Sequence, residues 1–277
     1  MRTWIITGAS SGIGKETALE MLRRGDNAVI TARDTKRLKD VVDLYPKNAY
    51  AVVLEVTDAG MCKSVVDAAV ARFGTVDVLL NNAGRGYHCP VEDSGEAEIC
   101  LLFEINYFGP VRLTQAVLPI MRKQGSGIIA NVSSMGVHFQ NTTGNAFYTS
   151  SKAALDEFSK VLRNEVKPFG IQVTVIEPGA FRTGFRTGGL APKGERNSAY
   201  LETAYASADD LKLRPHDQPG DPEKAGKIIV DTLCGKTLPK YLVLGSGMVE
   251  AEVDALKARI EEVEKCANIA PLADYEE

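Results

Sequence analysis

The chain has 277 residues, a length that suits one large α/β domain or two small ones. With 44% hydrophobic and 25% charged residues its composition is that of an ordinary globular protein and excludes disorder. A formal net charge of −4 excludes a basic field for nucleic acid or an anionic membrane, and no run of about 18 apolar residues is present to span a bilayer.

Short apolar, β-rich runs alternate with longer amphipathic stretches. The predicted strands are Thr3–Thr7, Ala28–Thr31, Ala49–Leu54, Val76–Asn81, Gly127–Val132, Gln172–Glu177 and Tyr241–Leu244. Helices are predicted over 12–28, 34–45, 58–73, 94–123, 146–168, 222–234 and 247–266. The strands read as continuous apolar runs, the pattern of a sheet buried on both faces. Strands alternating with helices imply right-handed crossovers, hence a Rossmann-type, doubly wound parallel sheet in one domain spanning 1–277. Thr3-Trp4-Ile5-Ile6 runs straight into Gly8 and leaves no room for a secretory leader, so a cytoplasmic location is expected.

Residues 184–220 break the rhythm, with Gly188-Gly189, Pro192, Pro215 and Pro219-Gly220 and little periodicity. The stretch reads as a flexible linker or as a substrate lid. Its length inside a compact domain and its place after a strand end favour the lid. Asp221-Pro222 then restarts a helix with an N-cap and a proline at the first position. The last helix carries one apolar stripe, Val249, Val253, Leu256, Ile260 and Val263, expected to dock on the chain's own core. The five cysteines are scattered, none in a Cys-x-x-Cys pair, and only three histidines are present. Free thiols and no metal site are therefore expected.

Thr7-Gly8-Ala9-Ser10-Ser11-Gly12-Ile13-Gly14 joins the first strand to the first helix. Glycines there allow close approach to a pyrophosphate at a helix N-terminus, although any tight strand-to-helix turn can use glycine. The second strand ends in Thr31-Ala32-Arg33-Asp34 with no acidic residue at its tip to select NAD(H). The Arg33 guanidinium could pair with a 2′-phosphate, which favours NADP(H), or be a solvated charge beside Asp34. Asn81-Asn82-Ala83-Gly84, ending the fourth strand, could line a cofactor or tie strands together. Asn106 lies inside a predicted helix, where Asn is a poor former, and hints at a buried hydrogen-bonding task. Ser133-Ser134 follows the fifth strand. Tyr148 and Lys152 are four apart early in the next helix and share a face. A neighbouring ammonium should lower the tyrosine pKa toward the working pH and make the pair a proton donor and acceptor.

In this order and spacing the motifs resemble the short-chain dehydrogenase/reductase family in its single-domain form, from Thr3 to about residue 265. The resemblance implies Tyr148 as general acid in reduction and base in oxidation, with Lys152 tuning it and holding the nicotinamide ribose. It implies Ser134, or Ser133 failing it, as the residue that bonds the substrate carbonyl, and Asn106 as the anchor of a water linking Lys152 to solvent. Gly8, Ser10, Ser11, Gly12, Ile13 and Gly14 would line the phosphates, Asn82, Ala83 and Gly84 the adenosine side. Thr183 with the Pro178-Gly179 backbone would orient the carboxamide. Two positions depart from the family's pattern. Glu55-Val56 stands where Asp-Val usually meets the adenine, and Ser134 precedes Tyr148 by fourteen residues, not thirteen. Phe181-Arg182-Thr183-Gly184-Phe185 and residues 218–225 resemble the 17β-hydroxysteroid-dehydrogenase-like branch, a sequence grouping with varied substrates.

The implied activity is that of an NADP(H)-dependent carbonyl reductase or alcohol dehydrogenase acting on a mid-sized, largely apolar ketone or secondary alcohol. The alternatives are a catalytically silent NADP(H)-binding regulator and an isomerase or lyase that uses the cofactor transiently. Arg85, Tyr87, His88, His138, Phe139, Phe147, Phe181 and Phe185 are expected to wall the pocket. A homodimer or homotetramer through the helices at 94–123 and 146–168 is expected by resemblance, with monomers also known in the branch.

Overall fold

The computed structural model describes residues 1–139, 142–189, 194–213 and 217–275. Seven parallel strands form one sheet: β1 (Thr3–Ile6), β2 (Asn27–Ala32), β3 (Ala49–Val53), β4 (Val78–Asn81), β5 (Gly127–Val132), β6 (Ile171–Pro178) and β7 (Tyr241–Leu244), in the order β3-β2-β1-β4-β5-β6-β7. β1 pairs with both β2 and β4, so the strand order reverses there and opens a crevice at the carboxyl ends of β1 and β4.

Both sheet faces are buried, as the unbroken apolar runs require. Trp4, Ile6, Ile30 and Leu80 pack on one side with Met21 of α1 (Gly12–Arg23) and Ile229 of α8 (Pro222–Leu233). Ile5, Val29, Leu79 and Ile129 pack on the other with α3 (Ala59–Phe73), α5 (Gly109–Gln124) and α6 (Ala146–Val166). α1 and α8 approach so closely that a Cβ on Gly226 would lie 2.7 Å from the Glu16 carbonyl carbon.

Several elements differ from the sequence expectation. The first helix stops at Arg23, before Gly25 at φ 90°. The segment at 34–45 is a 3-10 turn followed by the short α2 (Lys39–Leu44). The single helix expected over 94–123 is α4 (Glu96–Phe103), a π-helical turn at Glu104–Phe108, and α5. Within 184–220 the chain is not structureless: it forms a 3-10 turn at Ser198–Tyr200, a π-turn at Leu201–Tyr205 and α7 (Ala206–Leu213). Pro192 and Pro215 lie outside the described residues.

The clearest correction concerns α9 (Met248–Glu264). It has no buried residue, and Val249, Val253, Leu256, Ile260 and Val263 are between 42% and 60% exposed. An apolar stripe shows that a face could be covered; it does not show that the body of the chain covers it. The five thiols are free, with Cys62 and Cys89 buried. No described helix is long and apolar enough to cross a membrane.

Candidate active site

The glycine turn is folded hard against the end of β4. Gly8 (φ 66°) and Gly12 (φ 58°) occupy the left-handed region that a side chain disfavours. The Thr7 hydroxyl accepts from the Asn82 and Ala83 N–H groups, each at 2.9 Å. The Asn82 amide donates to the carbonyls of Thr7 (2.9 Å) and Gly8 (3.2 Å). A Cβ on Gly14 would sit 2.3 Å from Asn82 Nδ2, and one on Gly12 would meet Thr183 Cγ2 at 3.0 Å. Gly8, Gly12, Gly14, Asn82, Ala83 and Thr183 therefore converge on one spot, with Asn82 acting as the tie between strands.

This convergence fits a dinucleotide. Ser11 leads into α1 with extended backbone and no side-chain cap, and the first turn of α1 holds no acidic residue. Its leading N–H groups and positive end are left to an anion. At the tip of β2, Thr31 is buried and its hydroxyl donates to the Ile6 carbonyl. Asp34 accepts from the Lys36 N–H, and Arg33 is exposed. Of the Glu55-Val56 pair, the Val56 side chain is core-packed against Gly109, so Val56 has only backbone to offer a ligand.

The candidate reactive groups come from α6, the π-turn and the ends of β4 and β5. Lys152 is 3% exposed and its Nζ donates to the Val132 carbonyl at 2.7 Å. Asn106, wholly buried in the π-turn, donates to the Arg85 carbonyl (2.9 Å) and Ser151 Oγ (3.0 Å) and accepts from the Arg85 N–H (2.8 Å). A Cβ on Gly84 would lie 3.3 Å from both Asn106 Oδ1 and Lys152 Nζ, so a methyl there would crowd both side chains. The amide of Asn106 is spent on holding the 85 loop. Ser134 hydrogen-bonds the Tyr148 phenol and accepts from the Gly136 N–H at 3.1 Å. Ser133 is buried and its hydroxyl donates to the Lys152 carbonyl at 3.4 Å. Ser134, not Ser133, faces the tyrosine.

Burial reverses the expected titration of the pair. It pushes the Tyr148 phenol up to about 12, against the pull of the Ser134 hydroxyl. It pushes the Lys152 ammonium down to about 8, while Asp156 opposes that shift. Asp156 itself is pushed up to about 7 by burial, with the Ser133 hydroxyl drawing it back. The spacing of Tyr148 and Lys152 shows a shared face, but not that both would be withdrawn from water.

The expected pocket wall divides. Tyr87 is buried with Cys89 and Leu102, and Phe147 and Tyr148 pack against this cluster. Phe181 packs on the main core and bridges Gly220. Phe185 reaches Tyr148, ring centroids 5.8 Å apart and tilted 58°. His88 Nε2 lies 3.4 Å from Ser207 Oγ on α7, and Phe139 is 37% exposed. The segment at 194–213 is anchored, not loose: the Tyr205 hydroxyl donates to Asp93 (2.5 Å) and the Tyr200 hydroxyl to Glu92 (2.8 Å). His138 pairs at 2.8 Å with Glu177, and that hydrogen bond raises its pKa. Glu177 and Asp156 escaped the sequence reading. The available signals were a carboxylate inside an apolar strand run and an acid four residues after Lys152.

The chain is similar to known proteins in sequence and fold. The short chain dehydrogenase family profile matches residues 2–191. An oxidoreductase, BOA17, of Botryotinia fuckeliana is 36% identical over 250 residues, covering 90% of each chain. A 3-ketodihydrosphingosine reductase of Bacteroides thetaiotaomicron is 37% identical over 242 residues, covering 85% of this chain and 84% of that protein. The crystal structure of a short-chain dehydrogenase from Streptomyces avermitilis superposes with a TM-score of 0.89 at 39% identity over 99% of both chains. More distant structures share the fold. One from Burkholderia phymatum was solved with NAD (22% identity, TM-score 0.81, 95% of this chain and 94% of that one). A serine dehydrogenase was solved with NADP+ (24%, 0.73, 87% and 94%).

Proposed function

The chain belongs to the short-chain dehydrogenase/reductase family of NAD(P)-dependent oxidoreductases, and from that premise we propose that it interconverts a mid-sized, largely apolar ketone and its secondary alcohol with NADP(H). The observation that carries the reading is the Ser134–Tyr148 hydrogen bond over the buried Lys152 on the same face of α6. A nicotinamide dinucleotide held by its pyrophosphate at the glycine turn would supply or accept the hydride, which no side chain can do.

The chain's own residues handle the proton. A phenol held near 12 is protonated at neutral pH, and its proton can be passed to a carbonyl oxygen as that oxygen gains charge. The Ser134 hydroxyl donates to the same oxygen, and the Lys152 ammonium stabilises the tyrosinate left behind. Asn106 holds Arg85 and Ser151, which fixes the floor beneath Lys152. Gly8, Ser10, Ser11, Gly12, Ile13 and Gly14 bind phosphate through backbone N–H groups, and Asn82, Ala83, Gly84 and Glu55 border the adenosine side. Thr183 and the Pro178-Gly179 backbone orient the nicotinamide amide. The exposed Arg33, at a strand tip without an acidic residue, supports NADP(H) over NAD(H). Phe185 over Tyr148 supports an apolar substrate, and a relative named as a 3-ketodihydrosphingosine reductase points the same way. Exposed Leu101, Phe108 and Val161 on the α4–α6 side support a homo-oligomer.

The test is a panel of ketones, aldehydes and quinones offered to the purified chain, with NADPH and NADH consumption followed separately. NADPH-dependent turnover of an apolar carbonyl is expected. NADPH binding without turnover of any member would replace this reading with a silent binder.

A further inference from the structure

Outside the reactive groups, one cluster of side chains is left without a task. His138 in the loop after β5, Glu177 near the end of β6 and Glu252 on α9 each offer one ligand atom, and these atoms lie within 4.8 Å of one another. His138 Nε2 is 2.8 Å from Glu177 Oε1 and 3.7 Å from Glu252 Oε1. Ligands held tetrahedrally at about 2.0–2.2 Å from one ion lie roughly 3.3–3.6 Å apart, so these two separations bracket the edge of a coordination shell.

A second observation points to a ligand. Glu177 is 0% exposed, yet its Oε2 is buried with no hydrogen-bond donor among the described residues. Asp156 Oδ1, beside the cluster, is buried and undonated as well. A buried carboxylate oxygen without a partner carries a heavy desolvation cost, and an ion is one of the few things that removes it. One imidazolium also cannot balance the carboxylates gathered around it.

We propose that His138, Glu177 and Glu252 form a structural site for a divalent cation of the Zn2+ class. One imidazole nitrogen and carboxylate oxygens, completed by water, suit Zn2+ better than Mg2+, which takes oxygen ligands alone. Binding releases the proton of His138 Nε2 and leaves every oxidation state unchanged. The ion would staple α9 to the body of the chain. That helix buries none of its own residues, and Glu252 lies one turn beyond Met248, which covers Gly179. The staple would fix the loop after Ser134 and the Pro178-Gly179 backbone at once.

The test uses the full chain freed of metal with EDTA and titrated calorimetrically with ZnCl2, with CoCl2 as an optical probe and MgCl2 as the comparison. One equivalent of Zn2+ should bind, Co2+ should develop visible d–d bands, and Mg2+ should give no heat. Zn2+ should also raise hydrogen-exchange protection across α9. Glu252→Gln, on a helix with no core role, should weaken Zn2+ binding about tenfold or more with the circular-dichroism spectrum of the metal-free chain unchanged. His138→Gln should weaken Zn2+ binding as well. Absence of Zn2+ binding overturns the site. So does binding that Glu252→Gln leaves intact, or that is lost only on Cys100→Ser with Cys266→Ser, because the ion would then sit on exposed thiols.

Discussion

The two sides of the crevice are built from different materials. On the side of β1, β2 and β4, the turn at residues 7–14 is set by glycines at positive φ and by short polar side chains bonding backbone: Thr7 to Asn82 and Ala83, Asn82 to Thr7 and Gly8. On the far side, the segment at 194–213 hangs on side chains that bond other side chains, such as Tyr205 to Asp93 and Arg196 to Asp209. Backbone geometry of the first kind admits few residue types at each place. Contacts of the second kind can be changed one at a time, so residues there can vary singly while the glycine turn cannot.

The sharpest way to separate the two sides is Tyr148→Phe, which should lower kcat by about 10²–10⁴ while NADPH affinity, measured by calorimetry, holds. A parallel loss of affinity would mean that the sides are not independent. On the cofactor side, Arg33→Asp should shift the NADPH/NADH ratio of kcat/KM toward NADH by about 10–150-fold, the worth of a charged hydrogen bond of about 1.5–3 kcal/mol. An unchanged ratio removes Arg33 from the phosphate site. For pH, the ammonium of Lys152, lowered to about 8, is present below that value and lost above it. Carbonyl reduction should therefore decline as pH rises through about 8, and Lys152→Arg should carry the descending limb upward; a profile flat to pH 10 contradicts this. Gly14→Ala forces a methyl against Asn82 and should lower stability to urea by about 1–3 kcal/mol together with cofactor affinity. Tyr205→Phe, the mildest, should cost about 0.5–1.5 kcal/mol, seen as faster hydrogen exchange confined to 194–213 with the glycine turn untouched.

The same contrast governs what could be read without coordinates. The strands were legible because burial on both faces leaves an unbroken apolar run, and the turn at 7–14 because few residues tolerate its backbone. Tyr148 and Lys152 were legible as helical neighbours. Their titration was not, because it depends on how much water the rest of the fold leaves them. The pairing of His138 with Glu177 spans 39 positions and carries no local periodicity. The exposure of Val253 and Leu256 was hidden for the opposite reason: their stripe is that of any docked helix, and only the neighbouring elements decide whether it is covered.

The wide turn at Glu104–Phe108 makes this stretch sensitive to length rather than to identity. Each residue advances a helix by about 100°, so deleting one position between 104 and 108 would swing Asn106 off the 85 loop or rotate Leu113, Val117 and Met121 out of the core. Substitutions across this turn are local events, whereas a single-codon deletion would be felt either at the 85 loop beside Lys152 or at the far end of α5. Libraries that vary composition here should yield folded proteins far more often than libraries that vary spacing.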